Sequence, residues 1–328
     1  MTLDSAPPVV VVIPTYDSRS WVDGCLSSVL AQRGVRLAVA VVDNGSRDGT
    51  PEDVSRSWPE VKLIALTRNV GYGEAINVGA RVLPAGHVLA LNVDVRLEPD
   101  ALRELVGVLE KNPTVGAVAP RLTNPDGTLQ PSAHRFPTLT KLFGEALALD
   151  RLPVVGTLFD YHLRRYRYNA ARSVDWVSGA VLLVRREAWE ALGGFDPQYP
   201  FFVEELDLQR RLADQGWRVV LEPATAVVHF GGKRPIAPEV FLQAHAGLER
   251  YFGLAGGRSA AAAARAVLCM TALTRAIGWT ILSLFDRPNR AEAQRWASMF
   301  IRVFWRSTLL LRRIPAAQYP PYVPAEAD

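Results

Sequence analysis

Three carboxylates in four positions follow an aromatic segment, Phe201-Phe202-Val203-Glu204-Glu205-Leu206-Asp207. Helical spacing puts Glu204 and Asp207 on one face and turns Glu205 away. A solvated helix start often carries acids, because the helix dipole favours them there. The apolar approach through Phe201 and Phe202 argues for something else, a carboxylate of raised proton affinity such as a general base needs. A further acid stands alone. Leu89-Ala90-Leu91-Asn92-Val93-Asp94 is an apolar run that ends in one carboxylate, where a buried strand emerges. Open α/β sheets bind ligands at that edge. The competing role for Asp94 is a helix cap, since Glu98-Pro99-Asp100 reads as a helix start. His229 ends another apolar run and precedes Gly231-Gly232-Lys233-Arg234. Metal binding, phosphate binding and a structural role are all open to it.

These groups need strands to bring them together. Val9 to Ile13 is a β-branched run that stops at Pro14, and the polar Thr15-Tyr16-Asp17 follows. Trp21 to Gln32 has helical spacing. Leu37 to Val42 is a second strand, ending in Asp43-Asn44-Gly45-Ser46-Arg47-Asp48-Gly49-Thr50, a loop rich in acceptors and glycine. Pro51 to Trp58 is helical. Val61 to Leu66 is a third strand, followed by Asn69-Val70-Gly71-Tyr72-Gly73 and a helix over Glu74 to Leu83, which contains Asn77. Val88 to Val93 is the fourth strand. This alternation implies a parallel sheet with helices on both faces, whose polar loops gather along one edge. A dinucleotide-binding domain would need a glycine-rich turn after the first strand, and Pro14-Thr15-Tyr16-Asp17 has none. Val115 to Pro120 reads as another strand and Asn124-Pro125-Asp126-Gly127 as a hairpin tip. Arg164, Arg165 and Arg167 form a basic cluster in a less regular segment, suited to covering a substrate or to a solvated helix. Val174 to Val184 returns to strand character.

The chain has 328 residues and a net charge of +4, with two cysteines, Cys25 and Cys269. Two distant cysteines make neither a disulfide framework nor a zinc site, and no signal peptide is visible, which fits a cytoplasmic protein. The charge is uneven. Residues 258–313 carry ten arginines against Asp286 and Glu292, a balance of +8 that leaves the remainder at about −4.

Several blocks, in order, resemble the inverting nucleotide-sugar glycosyltransferases of family 2. They are Ile13-Pro14-Thr15-Tyr16, Val42-Asp43-Asn44-Gly45-Ser46-x-Asp48-Gly49-Thr50, Asn69-x-Gly71-Tyr72-Gly73-x-Ala75-x-Asn77, Leu91-Asn92-Val93-Asp94, Trp176-x-Ser178-Gly179-Ala180, Gly193-Gly194-Phe195-Asp196 and Phe202-x-Glu204-Glu205-x-Asp207-Leu208. Within the family the chain looks most like bacterial rhamnosyltransferases of cell-wall and polysaccharide assembly. The resemblance implies an α/β GT-A fold: a Rossmann-like mixed sheet flanked by helices over residues 1–235, with the nucleotide-sugar half near 8–120 and the acceptor half near 121–235. Residues 236–328 form a helical, basic, amphipathic appendage.

By position, Pro14, Thr15, Tyr16, Asp17, Asp43, Asn69, Gly71, Tyr72, Asn77, Asn92 and Asp94 are expected to bind the donor, and Trp176, Ser178 and Gly179 the acceptor. Asp94 closes the family's Asp-x-Asp element and is expected to hold Mg2+ or Mn2+, with His229 as a further ligand. Asn92 replaces the first aspartate of that element, so the metal would be held partly by the donor diphosphate. The family's base is the aspartate of a Glu-Asp pair, and here that position is Glu205, with Glu204 and Asp207 as alternatives. The implied partners are a nucleotide sugar, dTDP-rhamnose first and a UDP-hexose second, and a lipid-linked or glycan acceptor. The departures at Asn92 and Glu205 also leave room for a non-catalytic nucleotide- or glycan-binding protein.

Arg295, Arg302, Arg306 and Arg313 share one helical face, with Trp296, Met299, Phe300 and Val303 largely elsewhere. No 18-residue stretch between Ala260 and Leu311 is free of charge, which argues against a spanning helix. Peripheral contact with the inner face of the membrane, or packing on the body or in a homodimer, is expected instead. No nucleic-acid motif accompanies the basic charge.

Overall fold

The computed structural model describes residues 9–83, 86–149, 152, 156–159, 168–199, 202–233, 238–285 and 289–309. The basic cluster Arg164, Arg165 and Arg167, the boundary near residue 235, and Arg313 lie outside them.

The first half alternates strand and helix: Val9–Thr15 (β1), Arg19–Leu30 (α1), Leu37–Asp43 (β2), Thr50–Ser57 (α2), Lys62–Ala65 (β3), Tyr72–Val82 (α3) and His87–Leu91 (β4). These four strands are parallel, in the order β3-β2-β1-β4. Val95–Leu97 (β5), Ala101–Lys111 (α4), Val115–Thr123 (β6), Leu129–Gln130 (β7), Ala133–His134 (β8), Leu139–Ala146 (α5) and Gly156–Phe159 (α6) follow. Then come Arg172–Val174 (β9), Trp176–Val177 (β10), Val181–Val184 (β11), Arg186–Leu192 (α7), Glu204–Asp214 (α8) and Arg218–His229 (β12). Two long helices, Pro238–Phe285 (α9) and Arg290–Leu309 (α10), end the described chain.

The sheet is mixed. β11 lies antiparallel between β4 and β6, which interrupts the parallel sheet that the alternation predicts, and parallel pairing resumes between β6 and β12. The single run read over Val174 to Val184 is three strands, because Ser178 to Ala180 turn at the crevice edge before β11 descends beside β4. β6 and β7 form the expected hairpin around Asn124 to Gly127.

β1 shows why these strands carry unbroken apolar runs. Val9, Val11 and Ile13 enter one core with Trp21, Cys25 and Leu26 of α1, while Val10 and Val12 enter another with Ala75 and Ile76 of α3. Helices cover both faces, so alternation has no polar side to show. On the second face α3 lies close to β1, because Gly79 has no side chain and a Cβ there would overlap Val12 Cγ1. Gly79→Ala is expected to destabilise the fold by about 1–3 kcal/mol through overpacking, read by urea unfolding.

Within α9 the helix breaks at Gly256 and Gly257, the latter at φ 71°. α10 folds back against α9, burying Ala272, Ala276, Met299, Phe300 and Val303. The first part of α9 packs on the body, where Tyr251 and Phe252 join Tyr199, Val203 and Leu206 in one cluster. Arg250 donates to Asp196 at 2.7 Å and Arg275 to Glu145 at 2.7 Å.

Candidate active site

β4 delivers the first acid. Its partner strand β11 pairs as far as Val181↔Leu91, and the Asn92 N–H donates to the Ala180 carbonyl at 2.9 Å. Asp94 follows at 2% exposure, and its carbonyl accepts the Phe230 N–H at 3.0 Å. That contact ties the end of β4 to the end of β12. Asp94 Oδ1 lies 3.3 Å from His229 Nε2, and Asp94 Oδ2 is buried without a hydrogen-bond partner. A buried carboxylate oxygen left unpaired is costly, and a cation would satisfy it. Asn92 Nδ2 stands 3.5 Å from the same imidazole nitrogen. Among the described residues no three His, Cys, Asp or Glu side chains gather as a metal cluster. The unpartnered Asp94 Oδ2 and the nearby His229 Nε2 are two groups that could contribute to holding a divalent ion, whose other ligands would have to come from substrate oxygens or water. Asp94 is no helix cap: α4 starts at Ala101, with Asp100 at its N-cap position.

α8 starts at Glu204 and delivers the other acids. Glu204, Glu205 and Asp207 are exposed by only 3%, 7% and 6%, so this is no solvated helix start. Their grouping differs from the helical expectation. Asp207 turns to structural work: Oδ1 accepts from the Tyr199 hydroxyl at 3.1 Å and Oδ2 from Arg211 Nε at 2.7 Å. Arg211 in turn donates to the carbonyls of Leu192 and Gly194, each at 3.0 Å. Asp207→Asn is expected to cost about 2 kcal/mol of stability, read by chemical denaturation, since it removes the charge that pairs with a half-buried guanidinium while leaving its two carbonyl partners.

Glu204 and Glu205 both point into the body, because the start of α8 abuts α3 on one side and the Ser178–Ala180 turn on the other. A Cβ on Gly73 would come within 3.5 Å of the Glu204 Cβ, and one on Gly179 within 3.5 Å of the Glu205 Cβ. Glu204 Oε2 accepts the Val203 N–H at 3.0 Å. Burial, then the neighbouring Glu205 charge, pushes the Glu204 carboxyl well above the usual range. Burial pushes Glu205 up to about 7, against hydrogen bonds from its own N–H and that of Gly179. Tyr72 donates to the Gly179 carbonyl at 2.8 Å. Its hydroxyl is raised well above normal, first by burial and then by Glu204, Glu205 and Asp94, whose fields therefore converge on it. Just before these acids, Phe202 is 37% exposed at φ 73°, a strained conformation for an aromatic residue.

The donor-side residues divide. Thr15 and Asp43 lie side by side in register, and the Thr15 hydroxyl donates to Asp43 Oδ1 at 2.9 Å. Asp43 Oδ2 also accepts the N–H groups of Gly45 and Ser46 at 3.1 and 2.9 Å. Both residues are buried, so they shape the loop that the nucleoside would meet. Asp17, at φ 43°, accepts the Arg47 N–H at 2.7 Å, and the Tyr16 N–H donates to Ser18 Oγ at 3.2 Å. Pro14 is buried within β1. Asn69 Oδ1 accepts the Gly71 N–H at 2.9 Å, holding the turn before Tyr72. Asn77 does not line the crevice. Its amide donates to the Phe195 carbonyl at 2.8 Å and accepts the Phe195 N–H at 2.9 Å, stapling α3 to the Gly193-Gly194 turn.

On the acceptor side, Trp176 stacks on His134 at 4.4 Å and donates to the Arg135 carbonyl at 3.1 Å. The Ser178 N–H donates to the Ser132 carbonyl at 2.8 Å. Two residues that sequence reasoning passes over hold the site together. Gln209 bridges α8 to Val177 with two bonds of 2.8 Å, which fixes the turn carrying Gly179. Gln130 Oε1 lies 2.7 Å from His229 Nδ1. The one sequence signal for Gln130 is its place just after a hairpin tip.

A mixed sheet thus brings Asp94, at the end of β4, beside His229, at the end of β12, with two buried glutamates at the start of α8. Solved structures share that fold. A mannosyltransferase from Pyrobaculum calidifontis, in complex with GDP-Man and Mn2+, superposes with a TM-score of 0.57 at 20% identity, covering 93% of this chain and 87% of that one. GalNAc-T7, with UDP, GalNAc and Mn2+, gives 0.54 at 16% identity, covering 75% and 48%. Residues 10–172 match the model of glycosyl transferase family 2. The N-acetylglucosaminyl-diphospho-decaprenol L-rhamnosyltransferase of Mycobacterium tuberculosis is 34% identical over 233 residues, 68% of this chain and 75% of the relative. The O-antigen biosynthesis protein RfbC of Myxococcus xanthus is 32% identical over 229 residues, 68% of this chain but 17% of that protein. The chain belongs to glycosyl transferase family 2, and within it resembles bacterial rhamnosyltransferases.

Proposed function

We propose that this glycosyltransferase moves L-rhamnose from dTDP-rhamnose to a lipid-linked glycan acceptor in cell-envelope glycan assembly, with inversion at the anomeric carbon. The loops carrying Thr15 to Asp17, Asp43 and Asn69 to Tyr72 line the nucleoside site. Asp94 and His229, with Asn92 beside them, hold a divalent ion, Mg2+ or Mn2+. When bound, that ion supplies Lewis-acid stabilisation of the diphosphate.

Glu205 is the base. The acceptor oxygen forms its bond to the anomeric carbon as the carbon–oxygen bond to the diphosphate breaks. The electron pair leaves with the diphosphate, and the acceptor proton goes to the Glu205 carboxylate. The Gly179 N–H orients that carboxylate, and burial beside Glu205 raises the Glu204 carboxyl as well. The observation that carries this reading is the place of Glu205, buried at the start of α8 against the Gly179 turn, where burial raises its carboxyl towards the range in which a base works near neutral pH.

Thermal-shift measurements with a panel of nucleotide sugars test it. Stabilisation by dTDP-rhamnose with Mn2+, and by no UDP-hexose, is the expected result. A response to UDP-sugars alone would overturn the rhamnose assignment. No response to any would leave the non-catalytic binding protein.

We also infer peripheral contact with the inner membrane surface through α9 and α10. Among the described residues one helix, Phe241–Phe285, is long and apolar enough to cross a membrane by length and composition, with 22% of its most apolar window buried. Arg265 and Arg275 interrupt it, and both are ion-paired on the protein, to Glu249 and Glu145. Ile277, Ile281, Leu284 and Phe285 are exposed near its end, and Arg295, Arg302 and Arg306 are exposed on α10. Apolar side chains beside cations suit an anionic lipid surface. Flotation with vesicles of anionic lipid, and none with phosphatidylcholine alone, is expected. Absence of both, with a dimer by light scattering, would assign this face to a second copy.

A further inference from the structure

His229 is one end of a chain of hydrogen bonds that reaches the protein surface. At the other end, the exposed Asp126 accepts both the backbone N–H and the hydroxyl of Thr128, at 3.0 and 2.5 Å. A carboxylate at neutral pH only accepts, so the Thr128 proton is committed to it. Thr128 Oγ1 is then an acceptor towards Asn124, whose Nδ2 donates at 2.9 Å. That fixes Asn124 Oδ1 facing inward, where it accepts Gln130 Nε2 at 3.2 Å. Gln130 Oε1 is therefore turned to the imidazole, 2.7 Å from Nδ1, and it can only accept.

Reversing any one amide would set two acceptors or two donors face to face. Nδ1 must carry a proton, and in the neutral ring Nε2 is left with its lone pair. That lone pair faces Asp94 Oδ1 at 3.3 Å, next to the unpartnered Oδ2. Asn92 Nδ2 approaches that lone pair at 3.5 Å, and a cation between Nε2 and Asp94 Oδ1 would satisfy both acceptors.

We propose that Gln130, oriented through Asn124, Thr128 and Asp126, is a positioning residue for divalent-cation binding. It fixes the His229 tautomer whose Nε2 faces Asp94. The inference rests on the reading of Asp94 and His229 as metal ligands and goes beyond it. The β6–β7 hairpin, 99 residues from His229 in sequence, becomes part of the cation site. Outer partners of ligating histidines are typically worth about 10–100-fold in metal affinity.

The test is Mn2+ binding by the whole chain, counted from the electron paramagnetic resonance signal of free Mn2+, alone and with dTDP or UDP. Gln130→Met keeps the length and loses the acceptor, and is expected to weaken Mn2+ binding about 10–100-fold. Gln130→Glu keeps an acceptor for Nδ1–H but loses the donor to Asn124, and is expected to bind Mn2+ more tightly than Gln130→Met. Thr128→Val, at an exposed site, removes a link without touching the core and is expected to weaken binding a few-fold. Thermal unfolding without Mn2+ reports whether each variant is folded. Wild-type affinity in Gln130→Met, or equal loss in Gln130→Met and Gln130→Glu, would overturn the proposal. A wild-type chain that binds no Mn2+ under any of these conditions would overturn the metal reading of Asp94 and His229 itself.

Discussion

Replacing Glu205 with glutamine is expected to cut glycosyl transfer by about 10²–10⁴-fold, the usual contribution of a general base, while donor binding persists. The wild-type rate should follow the deprotonated fraction of this carboxyl, rising with pH and levelling off above about 7. Burial sets this value, against the lowering by its own N–H and by the Gly179 N–H. The same substitution should have an opposite effect on stability. Burial raises the folded-state value from 4.5 to about 7. Below 4.5 the carboxyl is protonated in the folded and unfolded chain alike, and the shift costs nothing. Above about 7 the folded state holds a buried charge that the unfolded state keeps in water. Glu205→Gln removes that burden, so the variant should gain about 2–3 kcal/mol at pH 8 and almost nothing at pH 4. Urea unfolding at the two pH values, with single-turnover transfer at pH 8, measures both. Unimpaired transfer would move the base to another residue, Glu204 being the nearest.

Asp94→Ala is the second large effect. Loss of the lone aspartate at the strand end should abolish Mn2+-dependent stabilisation by the donor and lower transfer by about 10²–10³-fold, matching several kcal/mol of leaving-group stabilisation. Stability should not fall in parallel. One carboxylate oxygen of Asp94 is already buried without a partner, so its removal relieves a desolvation penalty. A folded, equally stable and inactive Asp94→Ala protein is the expected outcome, read by calorimetric titration of donor and Mn2+ beside thermal unfolding. Normal donor affinity in the presence of Mn2+ would refute the assignment.

Sequence legibility follows the range of the forces involved. β1, β2 and β4 are readable because a strand covered on both faces must be apolar throughout, and each run declares its own end. Asp94 is readable for the same reason, as the first charge after such a run. The helix starting at Glu204 is readable, but the direction of its acids is not. Glu204 and Glu205 both turn inward because Gly73 and Gly179, distant in sequence, leave room for them. Asp207 is withdrawn by Tyr199 and Arg211. Asn77 shows a different limit: its place in a motif is plain, but only the folded chain shows that both ends of its amide hold Phe195. Gln130 and Gln209 are silent in one dimension, because an uncharged amide gives no pattern until its partners are known. In α10 the split between exposed arginines and buried Met299, Phe300 and Val303 is legible from helical period alone.

The packing of α9 over Tyr199, Val203 and Leu206 bears on how this enzyme can be taken apart or evolve. Tyr199 and Val203 flank the strained Phe202 and the two glutamates, and Tyr251 and Phe252 form the wall they rest on. A polypeptide ending near residue 236 would keep the whole sheet and every acid of the site, yet lose that wall. Phe202 would then be free to relax towards ordinary backbone angles and carry the start of α8 with it. Removal of the C-terminal helices is therefore expected to disturb the site as well as shorten the chain, read as loss of donor-dependent stabilisation in the truncated protein.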